Sequence, residues 1–505
     1  MVTTEVKIPL RPVPLVRRTP VAILLFPAAT MALLGLWDLG RRGIWSDEAA
    51  TWSAARRTPS ELWQLLSSID AIHGLYYLLM HGLLSLRPDA FMLRLPSVIG
   101  MVLAAALVAA IGARLAGARV GLVAGMLFSV LPLVSLYAQE GRSHALVVGG
   151  ATAATYFLVR ALETGEGRWW RWYAVATALT VLLHAFALLL PAAHAVTLLL
   201  SRSSARQWRC WSLSAAFAVV AVTPVAWMAS GQKEDALAWI PEPGWEAVTR
   251  LVRSFAGPSG WIACLVLLLA AAALVAPRRP TLDRPPVSVV TVALPLLVVP
   301  PALLIAVSQI DPVYDQRYVL YALPGLCLLA ASGLDRLTGL VLFRGAMPLA
   351  MPAAAALMVS LVLGGQLGAH HHVRAGESRL DDLLPMAEMV RQEAKPGDAV
   401  LFLASPRRKV AVAYPEKFAG LRDVALAKSA AASGTLYGTE LPPRELKEAL
   451  SKAQRVWLLD REDSDQRRVF RSAGERAKQE VLSDRFHREG VERLHGGSVH
   501  LYVHN

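Results

Sequence analysis

VAILLFPAATMALLGLW, residues 21–37, followed after a short link by IWSDEA, residues 44–49, is the stretch that decides how this chain reads. Its first half is an unbroken apolar run of a length that spans a hydrocarbon core. Arg11, Arg17 and Arg18 precede it, and such basic flanks stay on the cytoplasmic side. Its second half places two adjacent carboxylates, Asp47 and Glu48, just past the far end of the run. With the basic tail inside, both acids emerge on the outer face, where they can act on a substrate carried by a lipid.

The rest of the chain repeats the pattern. Of 505 residues, 55% are hydrophobic, and the mean hydropathy is +0.43. Further membrane-length runs are expected at 91–115, 120–137, 143–162, 170–183, 186–200, 211–229, 261–276, 287–307, 318–334 and 347–367, which makes eleven spans. The expected inner loops are all basic: Arg114 and Arg119; Arg168 and Arg171; Arg202, Arg206 and Arg209; Arg278, Arg279 and Arg284; Arg336 and Arg344. The first outer loop is an exception, with Arg41, Arg42, Arg56 and Arg57. The net charge of +13 therefore reads as topology signal and lipid-headgroup contact, not as a nucleic-acid surface. Cys210, Cys264 and Cys327 lie in or beside apolar runs and form neither a metal motif nor a disulfide framework. No cleavage site follows the first run, so it reads as an uncleaved anchor.

Three regions are expected: a cytoplasmic basic tail, 1–20; a transmembrane catalytic region, 21–369; and an extracytoplasmic α/β region, 370–505. The outer loop 38–90 contains two interfacial helices, at 60–67 and 74–86. The last region is charged and contains short strand-like runs at 399–403, 455–459 and 499–503. His370, His371 and His372, at the junction, read as a solvated linker, because consecutive helical residues do not face one metal ion.

With this topology, ionisable residues from four separate loops gather at one leaflet. Asp47, Glu48 and His73 lie in the first outer loop, Glu140 and Arg142 in a tight turn after residue 137, His184 in the next outer turn, and Asp311, Tyr314, Asp315 and Arg317 before the tenth span. Each has a plainer role: the acids as helix caps, the histidines bonded to carbonyls, the arginines snorkelling to headgroups. Their coincidence on one side argues for a site. Arginine forks suit a phosphate. A carboxylate beside an acceptor hydroxyl takes its proton. Glu48, His73, Glu140 and His184 are candidate ligands for a divalent ion at a leaving phosphate.

In Ile44-Trp45-Ser46-Asp47-Glu48-Ala49, His73-Gly74-Leu75-Tyr76-Tyr77-Leu78-Leu79, Tyr137-Ala138-Gln139-Glu140-Gly141-Arg142-Ser143-His144-Ala145-Leu146, Leu183-His184-Ala185-Phe186 and Gln316-Arg317-Tyr318, in that order, the chain resembles the GT-C membrane glycosyltransferases. Within them it is similar to the bacterial glycosyltransferase family 39-like group of protein O-mannosyltransferases and lipid A aminoarabinose transferases. Gly74-Leu75 stands where the family often has prolines, and Gly141 and His144 replace commoner residues.

The resemblance implies a GT-C-like α-helical polytopic membrane fold and an inverting hexosyltransferase. Its donor would be a polyprenyl-phosphate-linked sugar, mannose or a related one. The acceptor would be a hydroxyl of a cell-envelope glycan, lipid or protein on the outer face of the cytoplasmic membrane. It implies Asp47 as general base, Glu48 as its positioning neighbour, and Arg142 and Arg317 as donor-phosphate contacts. His73, Tyr76, Glu140, His184, Tyr314 and Asp315 are then expected at the substrate cavity. The competing class is a transporter or flippase of a lipid-linked sugar. Plain Ala/Leu/Val span interiors and the lack of an inverted repeat count against it.

Overall fold

Apolar segments in lipid have no water to bond their backbone groups, so they close those bonds within helices. The computed structural model describes residues 20–232, 240–276, 287–342, 350–460 and 472–505. Arg11, Arg17, Arg18, Arg278, Arg279, Arg284 and Arg344 fall outside them. The first helix, α1 (Val21–Leu36), leads into a long loop that folds as α2 (Ser46–Ala55), α3 (Pro59–Ser68) and α4 (Gly74–Leu86). There follow α5 (Ala90–Ala116), α6 (Ala118–Val130), α7 (Pro132–Ala138), α8 (His144–Thr164) and α9 (Gly167–Leu183). After a short 3₁₀ turn come α10 (Leu189–Leu200), α11 (Ala205–Ser230), α12 (Trp245–Ala256), α13 (Gly260–Val275) and α14 (Val289–Val307). The series ends with α15 (Leu323–Leu342), α16 (Ala350–Gly365) and α17 (Leu367–Val373). This is a multi-pass membrane protein.

The expectation of eleven spans needs correction. Among the described residues, five helices are long and apolar enough to cross, and up to eight if each of three bent pairs counts as one span. The pairs are α6 with α7, α12 with α13, and α16 with α17, bent by 64°, 88° and 49°. Extended Leu131 and Pro132 at the first position of α7 cause the first bend. The remaining three expected spans fold as α1, α9 and α10, of 16, 17 and 12 residues. At 1.5 Å per residue these are shorter than a hydrocarbon core of roughly 30 Å. α12 was not anticipated, because it is amphipathic rather than uniformly apolar. Small residues let helices approach closely: a Cβ on Gly100 of α5 would lie 2.8 Å from the Ala145 carbonyl oxygen of α8.

The C-terminal region holds a five-stranded sheet in the order β2-β1-β5-β7-β6. Its strands are β1 (Ala399–Phe402), β2 (Arg422–Asp423), β5 (Arg455–Asp460), β6 (Phe486–Leu494) and β7 (Gly497–His504). A separate short ribbon pairs β3 (Leu426–Lys428) with β4 (Thr439–Glu440). β1 runs parallel to β2 and β5, and β7 antiparallel to β5 and β6. Three strands match the expected runs; β6, a polar edge strand, has no apolar pattern to reveal it.

One face of the sheet does not stand alone. Phe402, Trp457 and Leu383 share a buried core with Trp52, Leu62 and Tyr77 of the loop after α1. The sheet region thus covers α2 to α4 directly.

Two sequence readings change here. His370 is not in a solvated linker: it is fully buried on α17, within 3.2 Å of the Ser135 hydroxyl and 2.9 Å of the Val130 carbonyl. Arg42 and Arg57, of the loop after α1, are structural, whereas Arg41 and Arg56 are exposed. Arg42 is buried and donates to the Gln139 and Val373 carbonyls at 2.8 and 3.3 Å, and Arg57 is buried against the Ser53 carbonyl at 3.2 Å. Local carbonyls, not topology, determine where these charges sit.

Candidate active site

The site is organised from the N-terminus of α2. Trp45 precedes the helix in extended conformation and offers no side-chain cap. The Ser46 N–H donates instead to the carboxylate of Asp381, at 2.9 Å, from the C-terminal region. Capping therefore does not explain Asp47 and Glu48. They occupy the first turn of α2, one helical step apart, and point to different surroundings.

Glu48 is fully buried. Its two oxygens accept from Arg94 Nε and Nη2, both at 2.7 Å, and Oε1 also accepts from the Gly141 N–H at 2.8 Å. Arg94 gives its remaining hydrogens to the carbonyls of Leu39, Arg42 and Gly43 at 3.0, 3.0 and 2.7 Å. All five donors of the guanidinium are then used. Burial pushes the Glu48 carboxyl up, but Arg94 outweighs it and keeps the group ionised. A Cβ on Gly141 would meet Leu93 Cγ at 2.6 Å, so glycine lets the turn approach. Glu48 does not line the cavity described next. Its expected place beside the reaction is corrected to a buried brace.

Asp47 turns the other way, into a cavity of about 470 Å³. Asp47, His73, Arg142, His184 and Arg317 all line this one space, although they come from separate loops. Arg317 Nη1 donates to Asp47 Oδ2 at 2.6 Å. Arg142 Nη2 lies 2.9 Å from His73 Nε2. Among the described residues, the Nδ1 atoms of His73 and His184 are buried without a hydrogen-bond partner. Burial and Arg142 push His73 well below its ordinary value, so it is neutral near pH 7. One wall is apolar: Phe186, and Val222, Val225 and Ala226 of α11. The same helix exposes Leu213, Phe217, Val220 and Trp227 on its outer side.

The other expected residues sit behind this surface. Glu140 pairs with Arg379 at 2.7 Å and approaches His144 Nδ1 at 3.2 Å. Asp315 lies 3.4 Å from Arg317 Nε, and its carboxylate accepts from the Arg317 N–H at 3.0 Å. Tyr76 is buried, and neither it nor Tyr314 is on the cavity wall. The metal set Glu48, His73, Glu140 and His184 does not assemble, because the two acids are engaged by arginines behind the wall. Among the described residues, no group of three or more His, Cys, Asp or Glu is placed to hold a metal ion.

Four cavity residues escaped the sequence reading. Asp70 adopts a left-handed backbone, φ 60°, which is uncommon for a residue other than glycine and concentrates at functional sites. Its carboxylate accepts from the Tyr77 hydroxyl at 2.8 Å, and burial pushes it up. Gln232, Lys409 and Tyr437 also line the space. Lys409 and Tyr437 come from a region more than 300 positions along the chain from Asp47, so only folding brings them there. Arg94 carried a legible signal: a charge within an apolar run.

A test of the brace behind the cavity uses Glu140. Burial alone would raise its carboxyl, but Arg379 and His144 hold it down to about 2. Its stabilising contribution is therefore full above its ordinary value near 4.5 and is lost as pH falls toward 2. Glu140→Gln is expected to melt lower at neutral pH and to lose less on acidification. Parallel melting curves across the acid range would contradict this.

Residues 75–228 match the family described as dolichyl-phosphate-mannose-protein mannosyltransferase. That segment contains Glu140, Arg142 and His184 but stops short of Asp47 and Arg317. No curated protein is similar in sequence at a significant level. Among solved structures, ArnT from Cupriavidus metallidurans in the apo state superposes with a TM-score of 0.59 at 14% identity, over 95% of this chain and 98% of that one. ArnT bound to undecaprenyl phosphate superposes with a TM-score of 0.59 at 14% identity, over 95% and 97%. Residues 75–228 are thus similar to that family, and the chain shares the ArnT fold from end to end.

Proposed function

We propose that the protein transfers a sugar, mannose or a related one, from a polyprenyl-phosphate donor to a hydroxyl acceptor of the cell envelope. The reaction runs at the outer face of the cytoplasmic membrane, with the tail 1–20 inside and residues 370–505 outside. The observation that carries this reading is the convergence of Asp47, Arg142 and Arg317 on one cavity with an apolar wall. A donor's isoprenoid tail fits along α11, whose exposed residues are apolar on the lipid side. Its phosphate then meets two permanently charged guanidiniums.

The Asp47–Arg317 pair gives the cavity an order of events. A donor phosphate competes with the Asp47 carboxylate for Arg317. As the arginine turns to the phosphate, Asp47 is released to accept a proton. The acceptor oxygen bonds to the anomeric carbon and its proton passes to Asp47. The bond from that carbon to the phosphate oxygen breaks, and its electron pair leaves with the lipid phosphate. Attack opposite the leaving group inverts the anomeric centre. Arg142 and Arg317 stabilise the charge that develops on the departing phosphate.

Purified protein incubated with a panel of polyprenyl-phosphate sugars is expected to release or transfer one of the sugars. Inactivity across the panel, from folded protein in bilayers, would count against the reading. Arg317→Ala is expected to weaken donor affinity by about tenfold to a hundredfold, the value of a hydrogen bond to a charged group. Unchanged donor affinity would remove Arg317 from the phosphate site.

A further inference from the structure

The link into α2 is held by the C-terminal region at successive residues. The Leu383 N–H donates to the Ile44 carbonyl at 3.1 Å, and the Ile44 N–H donates to the Tyr414 hydroxyl at 2.7 Å. The Ser46 N–H donates to Asp381 Oδ1 at 2.9 Å, and the Ser46 hydroxyl also donates to the Asp381 carboxylate. Lys409 Nζ donates to the same hydroxyl at 2.6 Å. At the other end of α2, the Ser53 hydroxyl donates to the Leu436 carbonyl at 2.7 Å. The helix that presents Asp47 to the cavity is thus clamped at both ends by residues that follow the last membrane helix. Lys409 and Tyr437 also form part of the cavity wall.

We propose that the C-terminal region is part of the reactive site, and that Asp381 and Lys409, meeting on the Ser46 hydroxyl, are positioning residues that aim the Asp47 carboxylate. Ser46 is the residue before Asp47, so a shift of its backbone moves the carboxylate directly. The Asp381 carboxylate takes the N–H that opens the helix, Lys409 holds the hydroxyl that donates to it, and Arg407 Nη1 lies 4.0 Å from the same carboxylate. The arrangement gives the first turn of α2 one orientation. A displacement of about 1 Å at a reacting group costs about a hundredfold in rate.

This inference rests on Asp47 as the base, so its test is chosen to fail separately from that reading. The probe is the polyprenyl-phosphate sugar that the wild-type protein cleaves, with sugar release and donor binding measured on the full-length protein in bilayers. Ser46→Ala keeps the backbone N–H and removes only the shared hydroxyl. Ser46→Ala and Lys409→Met are each expected to lower kcat for sugar release by about tenfold to a hundredfold. Donor Kd should stay within about twofold of wild type, and Lys409→Arg should recover most of the rate. Wild-type kcat in both Ser46→Ala and Lys409→Met would overturn the inference and leave the proposed reaction standing. A loss of donor affinity matching the loss of kcat would overturn it too, because Lys409 would then be a donor contact. Should Lys409→Met fail to fold, Ser46→Ala decides alone. Wild-type inactivity across the donor panel would sink the proposed reaction first.

Discussion

Asp47→Asn is expected to lower the turnover of sugar transfer by about a hundredfold to ten-thousandfold, the range that one positioned general base contributes. The amide keeps the shape of the side chain and removes its basicity. It also removes the negative charge that holds Arg317 Nη1 at 2.6 Å, leaving only a neutral acceptor. With that competition weakened, donor affinity is expected to hold or to rise. The two effects have opposite signs, which separates chemistry from folding. Turnover and donor Kd measured on the same preparation check both. A collapse of donor binding together with turnover would assign Asp47 a structural role, and near-normal turnover would end its role as base.

Arg94→Met is expected to cost about 3–5 kcal/mol of stability, the penalty for leaving one member of a buried ion pair without its partner. The variant strands the Glu48 carboxylate in a fully buried place and removes the donor to three backbone carbonyls. The double variant Arg94→Met/Glu48→Gln is expected to regain part of the loss, because the Glu48 site then no longer buries a carboxylate without Arg94. Thermal melting of the purified protein in detergent measures both. A single variant that melts with wild type would mean that the pair contributes nothing net. Sugar transfer should follow the folded fraction rather than vanish in the folded protein, in contrast to Asp47→Asn. The two acids of one dipeptide thus make separable predictions, one on rate and one on folding.

Much of the architecture is legible because membrane physics leaves few choices. A run such as 91–115 has no stable alternative to a helix, and the structure has α5 (Ala90–Ala116) there. Breaks are harder to read. Pro132 is visible in the sequence, but the 64° turn it allows between α6 and α7 depends on what packs on either side. Strand β6 has no apolar alternation because it lies at the sheet edge, with most of its side chains exposed.

The candidate site divides in the same way. By itself the sequence determined the membrane class and the identity of Asp47, Arg142, His184 and Arg317 as residues of interest. It did so because charge beside lipid is costly and needs a reason. Only the tertiary structure decided which charges reach the cavity. Asp47 and Glu48 are neighbours in the chain and look alike in sequence. On a helix, consecutive side chains point about 100° apart, so one faces the cavity and the other faces Arg94. Lys409, Tyr437 and the Asp381 cap come from the far end of the chain. No local pattern marks them, because their positions result from the sheet packing onto α2 and not from any property of their own sequence neighbours.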